Sequence, residues 1–273
     1  MTPGGSGMLH WLARAGYAAR GVVYLVVGYL AALAAWTGSR PEGPEGALRE
    51  LWGGPAGTVM LVAIGVGLLL FSAWRLLQAL LDRDGHGRDA KALAIRAGLL
   101  ASAVTYALLA LFALGYLAGR GGGGGGGEGG SRGGAAFLLS QPFGRALLGL
   151  VALVIVGIGL AHLWKAWRRG YLKRLEMSEA VKRWASPVSR FGLFMRGITF
   201  LIVAGFFFLA AFRGQPEEAA GLAEALQAVQ EMSYGWVALA VIALGLFAFG
   251  LYSLIEAVWR RVDLPPAERL VPA

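Results

Sequence analysis

RAGYAARGVVYLVVG, residues 14–28, returns twice in this chain: as RAGLLASAVTYALLA at 96–110 and as RFGLFMRGITFLIVA at 190–204. The three stretches align without a gap. Arg14, Arg96 and Arg190 coincide, and so do Gly16, Gly98 and Gly192. Tyr24, Tyr106 and Phe200 share one position; Gly28, Ala110 and Ala204 share another. Arg20 and Arg196 coincide, with Ser102 between them in the middle copy. Self-similarity at this scale means one supersecondary unit used several times.

A second set of stretches repeats in step with the first. GGPAGTVML (53–61), SQPFGRALL (140–148) and EMSYGWVAL (231–239) share Gly57, Gly144 and Gly235. The same offset aligns Ser72, Gly159 and Gly250, then Gln78, Lys165 and Glu256. Each stretch opens an apolar run. About 20 apolar residues are needed to cross roughly 30 Å of hydrocarbon. Six runs qualify: 17–37, 57–80, 95–118, 143–166, 192–213 and 235–258. All should be helices, since isolated strands leave their backbone unsatisfied in lipid.

Composition agrees. The 273 residues are 57% hydrophobic and 15% charged, against about 25% charged in an average soluble domain. The absence of cysteine excludes disulfides, thiolate metal sites and cysteine nucleophiles. Of His10, His86 and His162, only His162 lies within an apolar run, and a bis-histidine haem needs pairs. No cofactor or metal is expected. The net charge of +9 would suggest nucleic acid in a soluble protein. Here the basic residues flank apolar runs, so they set topology and meet anionic headgroups, and no nucleic-acid partner is expected.

Nineteen of the 25 Lys and Arg fall on one side of the six spans, among them Arg14, Arg83, Arg88, Arg168, Arg183 and Arg269; Arg40, Arg49, Arg120, Arg132, Arg145 and Arg213 fall on the other. The positive-inside rule then places both termini in the cytoplasm. The first span has the basic lead of a signal peptide, but its length and its recurrence predict that it is retained. Short helical patterns, ALREL (47–51) and AEALQAV (223–229), precede two returning spans on the outer side. The segment GRGGGGGGGEGGSRGG (119–134) matches GxGxxG many times, yet no strand precedes it and no GK[ST] follows. It predicts a flexible linker in the second outer loop.

The expected fold is all-α. It is an integral-membrane six-helix bundle of three parallel helical-hairpin repeats, at 9–83, 91–170 and 186–262, with a rough threefold axis along the membrane normal. Gly21 and Gly28 are seven apart on one helix face, as are Ala103 and Ala110, and Gly197 and Ala204. Small faces let helices approach closely in lipid.

The arginines carry the functional question. Arg14, Arg96 and Arg190 sit at span starts, where they can snorkel to headgroups. Arg20 and Arg196 sit about 9 Å of helix rise deeper. Charges at such depth face the bundle interior and find partners. Glu256, Gln78, Tyr24 and lipid phosphate are the partners considered, with Glu256 pairing to Arg20 or to Arg196. Arg14, Arg20, Arg96, Lys165, Arg190 and Arg196 are the anion- or lipid-binding set, and Glu256 and Gln78 their charge partners.

By RAGYAARGVVYLVVG, QPFGRALLGL (141–150) and KRLEMSEAVKRWASPVSRFGLFMRGITFLIVAGFF (173–207), the chain resembles the bacterial domain-of-unknown-function 1206 family. That resemblance implies an inner-membrane protein with three copies of a two-helix unit. It implies no activity, substrate or catalytic residue. The middle copy departs from the pattern at Ser102 and Ala103.

The function expected from all this is non-enzymatic. The basic cytoplasmic face would bind anionic lipid headgroups or a partner protein, helped by the loop RRGYLKRLEMSEAVKRW (168–184). The alternative is a transporter or channel for a small anion or amphiphile, with Arg20, Arg196, His162 and Lys165 lining a basic vestibule. Enzyme chemistry needs convergent carboxylates, histidines or a nucleophile, and the spans hold one Glu, one His and no HExxH, GxSxG or paired-carboxylate spacing.

Overall fold

A computed structural model describes residues 3–51, 54–81, 89–117 and 128–261. Arg83, Arg88, Arg120, Arg269, His86 and the linker glycines up to 127 lie outside these, as do the outermost residues of the first and third repeats and the last residue of the third span. Nine α-helices are described: α1 (Pro3–Thr37), α2 (Pro44–Glu50), α3 (Gly54–Leu81), α4 (Ala90–Leu117), α5 (Glu128–Leu139), α6 (Gly144–Arg168), α7 (Glu179–Arg213), α8 (Leu222–Gln230) and α9 (Gly235–Trp259). Six of them, α1, α3, α4, α6, α7 and α9, are long and apolar enough to cross a membrane. Large apolar side chains such as Leu69, Leu108, Leu153, Phe208 and Leu244 are exposed along them, as lipid contact demands.

The helix starts differ from the expected spans where local signals extend them. α7 begins at Glu179 because Ser178 caps it, its hydroxyl accepting from the Val181 N–H. Pro187 lies within this basic extension, ahead of the apolar run. The second outer loop also departs from expectation. Residues 128–134, read as linker, are the first half of helix α5. Glycine costs about 1 kcal/mol per helical position. Tertiary packing offsets that here: Ala135 is buried with Leu148, Ala210 and Ala219. Each repeat therefore carries an outer helix: α2, α5 and α8.

The spans meet at three equivalent crossings. α9 packs on α1, α3 on α4 and α6 on α7. A Cβ on Gly21 would lie 3.1 Å from the Gly250 carbonyl oxygen, and one on Gly197 would lie 2.9 Å from that of Gly159. At the third crossing the Ser72 hydroxyl donates to the Ala103 carbonyl at 2.7 Å. These are the same aligned positions each time. Backbones come this close only where no side chain intervenes.

Within repeats the pattern is unequal. α1 packs on α3, and α7 on α9, but among the described residues α4 makes at most sparse contact with α6. The aligned glycines record the difference. A Cβ on Gly16 would sit 2.7 Å from Phe71 Cα, and one on Gly192 2.4 Å from Phe249 N. A Cβ on Gly98 would meet nothing within 4 Å. The helices thus form an open series, α4–α3–α1–α9–α7–α6, rather than a closed ring. The main core runs along α1, α3, α4, α7 and α9, with Tyr17, Val27, Leu68, Ala110, Leu193 and Leu246 fully enclosed.

Candidate functional site

The arginine-rich end of the bundle gathers most of the buried polar side chains. Arg20 is 4% exposed and Glu256 3%. Arg20 Nη2 donates to Glu256 Oε2 at 2.7 Å, and its Nε donates to the Ser253 hydroxyl at 3.0 Å. Arg260, one turn on from Glu256, donates to the other carboxylate oxygen at 2.6 Å. The Arg20 guanidinium also lies 4.8 Å from the Phe71 ring centre and 5.0 Å from that of Tyr17. Helix α9 supplies Ser253 and Glu256 because they are three apart and share the face turned to α1.

Arg196 takes a different partner. Its Nη2 donates to the Tyr24 hydroxyl, and its guanidinium lies 4.2 Å from the Phe200 ring centre. His162 stands beside the same Phe200 ring at 5.4 Å, its Nδ1 against the Ile158 carbonyl.

Two further cations approach this cluster. Lys165 Nζ lies 5.1 Å from the Tyr252 ring centre. Arg75 lies 4.8 Å from the Phe71 ring centre, and its Nη1 donates to Gln78 Oε1 at 3.3 Å. Both act electrostatically on Glu256, alongside Arg20 and Arg260. Arg75 Nε, though shielded, has no hydrogen-bond partner among the described residues, and neither do the Tyr17 hydroxyl and the Trp74 indole N–H.

The expected anion-binding set therefore divides. Arg20 and Arg196 are occupied by protein partners. Arg96 is also committed: it donates to the Ala79 and Leu80 carbonyls at 2.6 and 3.1 Å, closing the open end of α3. Arg14 is exposed, while Arg190 is half-buried and acts on Tyr171. Of the six, Arg20 and Lys165 act on Glu256, and of these two Lys165 makes no ion pair among those described. Gln78 accepts from Arg75 through its Oε1.

The family profile described as Domain of Unknown Function (DUF1206) matches residues 15–82, 97–169 and 191–260. The chain belongs to this family. It is 30% identical over 252 residues to the uncharacterized protein YxxB of Bacillus subtilis (strain 168), covering 91% of this chain and 90% of that one. No solved structure matches it.

The buried polar contacts join DUF1206 units to one another. Arg20 of the first unit pairs with Glu256 of the third, and Arg196 of the third reaches Tyr24 of the first. The unit alignment also brings out Arg75 and Ser253, which sequence reasoning passed over. Arg75, His162 and Ser253 are equivalent, three residues before Gln78, Lys165 and Glu256. In the sequence Arg75 is one of the nineteen Lys and Arg on the basic side of the spans. Its spacing from Gln78 on one helix face was the signal available.

Outside the spans, Glu45 of α2 has its carboxyl pushed up, first by burial and further by Glu224 of α8, against the opposing pull of Arg49. Glu224 faces Arg132 of α5 at 4.0 Å. The three outer helices thus meet over the far end of the bundle.

Proposed function

We propose that this multi-pass membrane protein is a non-enzymatic binder of anionic phospholipid headgroups at its arginine-rich end. One observation carries the reading. A single buried carboxylate, Glu256, already bonded to Arg20 and Arg260, also has Arg75 and Lys165 in its field. Charges at membrane depth are costly unless matched, by at least about 2.5–3.5 kcal/mol at the bilayer centre. The surplus of cations calls for an added anion, and a lipid phosphate is the anion at hand.

The arginine-rich end faces the cytoplasm in this reading, with the chain in a bacterial inner membrane; the uneven distribution of Lys and Arg supports that orientation. The three hairpins approximate a threefold arrangement, supported by the equivalent crossings at Gly21, Ala103 and Gly197 and interrupted between α4 and α6. The outer half of the interior favours binding over conduction. Val27, Ala31, Leu61 and Leu239 enclose it, and these apolar side chains offer an ion no path.

Thermal unfolding of the purified chain in detergent tests the proposal. Added phosphatidylglycerol should raise the midpoint more than phosphatidylcholine does, since ligand at 100 times its Kd stabilises by about 2.7 kcal/mol. Replacing Arg75 and Lys165 together by glutamine should erase the difference. Equal responses to the two lipids in the unaltered protein would refute a headgroup site.

A further inference from the structure

The middle repeat differs from its neighbours in three ways that converge on one seam. First, α4 and α6 make at most sparse contact among the described residues, while the equivalent pairs α1/α3 and α7/α9 pack closely. Second, Gly98 faces open space where Gly16 and Gly192 abut the backbones of Phe71 and Phe249. The aligned residue across the seam is Ile158, and Gly157 beside it also meets nothing within 4 Å. Third, the polar positions of this repeat are less enclosed. In the flanking repeats Arg20, Arg196, Ser253, Glu256 and Gln78 are buried and Arg75 is half-buried, whereas Ser102, His162 and Lys165 are all half-buried.

Lys165 follows Ile158 by seven residues, so it lies on the same face of α6, about 10 Å nearer the arginine-rich end. The seam thus presents an apolar stretch with a cation at one end. An anionic amphiphile has this polarity; a free anion matches only half of it. Around a membrane span the surrounding medium is acyl chain.

We infer that the seam between α4 and α6 is a lateral groove that seats the acyl portion of an anionic phospholipid, with its phosphate against Lys165. This rests on the headgroup reading above and adds where the tail lies. The serine that replaces arginine at position 102 leaves the groove without a second deep cation, so one headgroup fits rather than two.

Native mass spectrometry of the full chain, released from micelles of mixed phosphatidylglycerol and phosphatidylcholine, reads the occupant directly. The unaltered protein should retain phosphatidylglycerol in preference. Lys165→Gln, which imports the residue of the first repeat, should cut that preference about fivefold, the effect of one cation near a charged surface. Gly98→Leu should lower retention of either lipid, because its side chain fills the groove. Gly98→Ala, a smaller plug, should do so partially and guards against misfolding of the leucine variant. Gly205→Leu, on an equally open position of α7, should behave as the unaltered protein.

If Gly98→Leu retains lipid normally while Lys165→Gln loses selectivity, the groove is refuted and the headgroup site stands. If the unaltered protein shows no preference for phosphatidylglycerol, both fall. Inorganic phosphate displacing the lipid as well as soluble phosphatidylglycerol does would show that the tail contributes nothing. A lipid-free two-chain species that Gly98→Leu dissociates would assign the seam to a second copy instead.

Discussion

Arg196 Nη2 donates to the Tyr24 hydroxyl at 2.5 Å, and its guanidinium carbon lies 4.5 Å from the centre of the same ring. One tyrosine therefore serves a buried arginine twice, as an acceptor and as a π face. The contact spans 172 residues of sequence and joins the first and third repeats.

Tyr24→Phe separates the two roles. The ring stays and the acceptor goes. A hydrogen bond to a charged group is worth about 1.5–3 kcal/mol, so a loss in that range is expected in thermal unfolding. Tyr24→Leu removes the ring as well and should cost more. Equal losses for the two variants would mean that the ring contributes nothing.

Glu256→Gln should be the most damaging single change at the arginine-rich end. It removes the one carboxylate shared by Arg20 and Arg260 while leaving both cations in place. Breaking a buried pair from one side costs about 3–5 kcal/mol. The measurement is the unfolding midpoint beside that of Glu231→Gln, whose carboxylate is exposed and whose loss should change little.

The three aligned glycines should not respond alike. Gly16→Ala and Gly192→Ala each drive a methyl into a neighbouring backbone, and overpacking of this kind costs about 1–3 kcal/mol. Gly98→Ala meets nothing. It should be neutral or gain up to about 1 kcal/mol through helix propensity. Parallel melts of the three variants in one detergent would show it.

Glu45 gives a pH prediction. Burial raises its carboxyl above the ordinary 4.5, so the folded protein holds this proton more tightly than the unfolded chain does. Its contribution to stability is complete below 4.5 and is lost as pH rises through the higher folded value. Glu45→Gln should therefore raise the unfolding midpoint at neutral pH, and the gain should vanish in acid. A gain that persists at low pH would point to a cause other than titration.

Much of the architecture was readable from the chain. The spans announce themselves by length and apolarity, and the repeats by the recurrence of Arg14, Gly16 and Tyr24. What stayed hidden depends on pairings between distant segments. Gly98 is the same residue as Gly16 and Gly192, yet only the neighbouring helix decides whether a glycine is used for close approach. The start of α5 carries so many glycines that local propensity argues for a coil, and burial of Ala135 decides otherwise. Arg96 aligns with Arg14 and Arg190 but turns back to the end of α3, a use that its spacing from the span start does not reveal. At the cluster, the pairing of Arg20 with Glu256 was one of two options on charge grounds. The shared face of Ser253 and Glu256 on α9 is what selects it.

Arg20 and Glu256 stand 236 residues apart in sequence, and that interval is also a time. At about 5–20 residues per second of synthesis, roughly 10–50 s separate their emergence from the ribosome. Through that interval the first hairpin holds a deep arginine whose carboxylate does not yet exist. A lipid phosphate can stand in for it until the last helix arrives. The pairing of first and last hairpins can form only after the whole chain has been made, so closure of the Arg20–Glu256 contact belongs to the end of assembly.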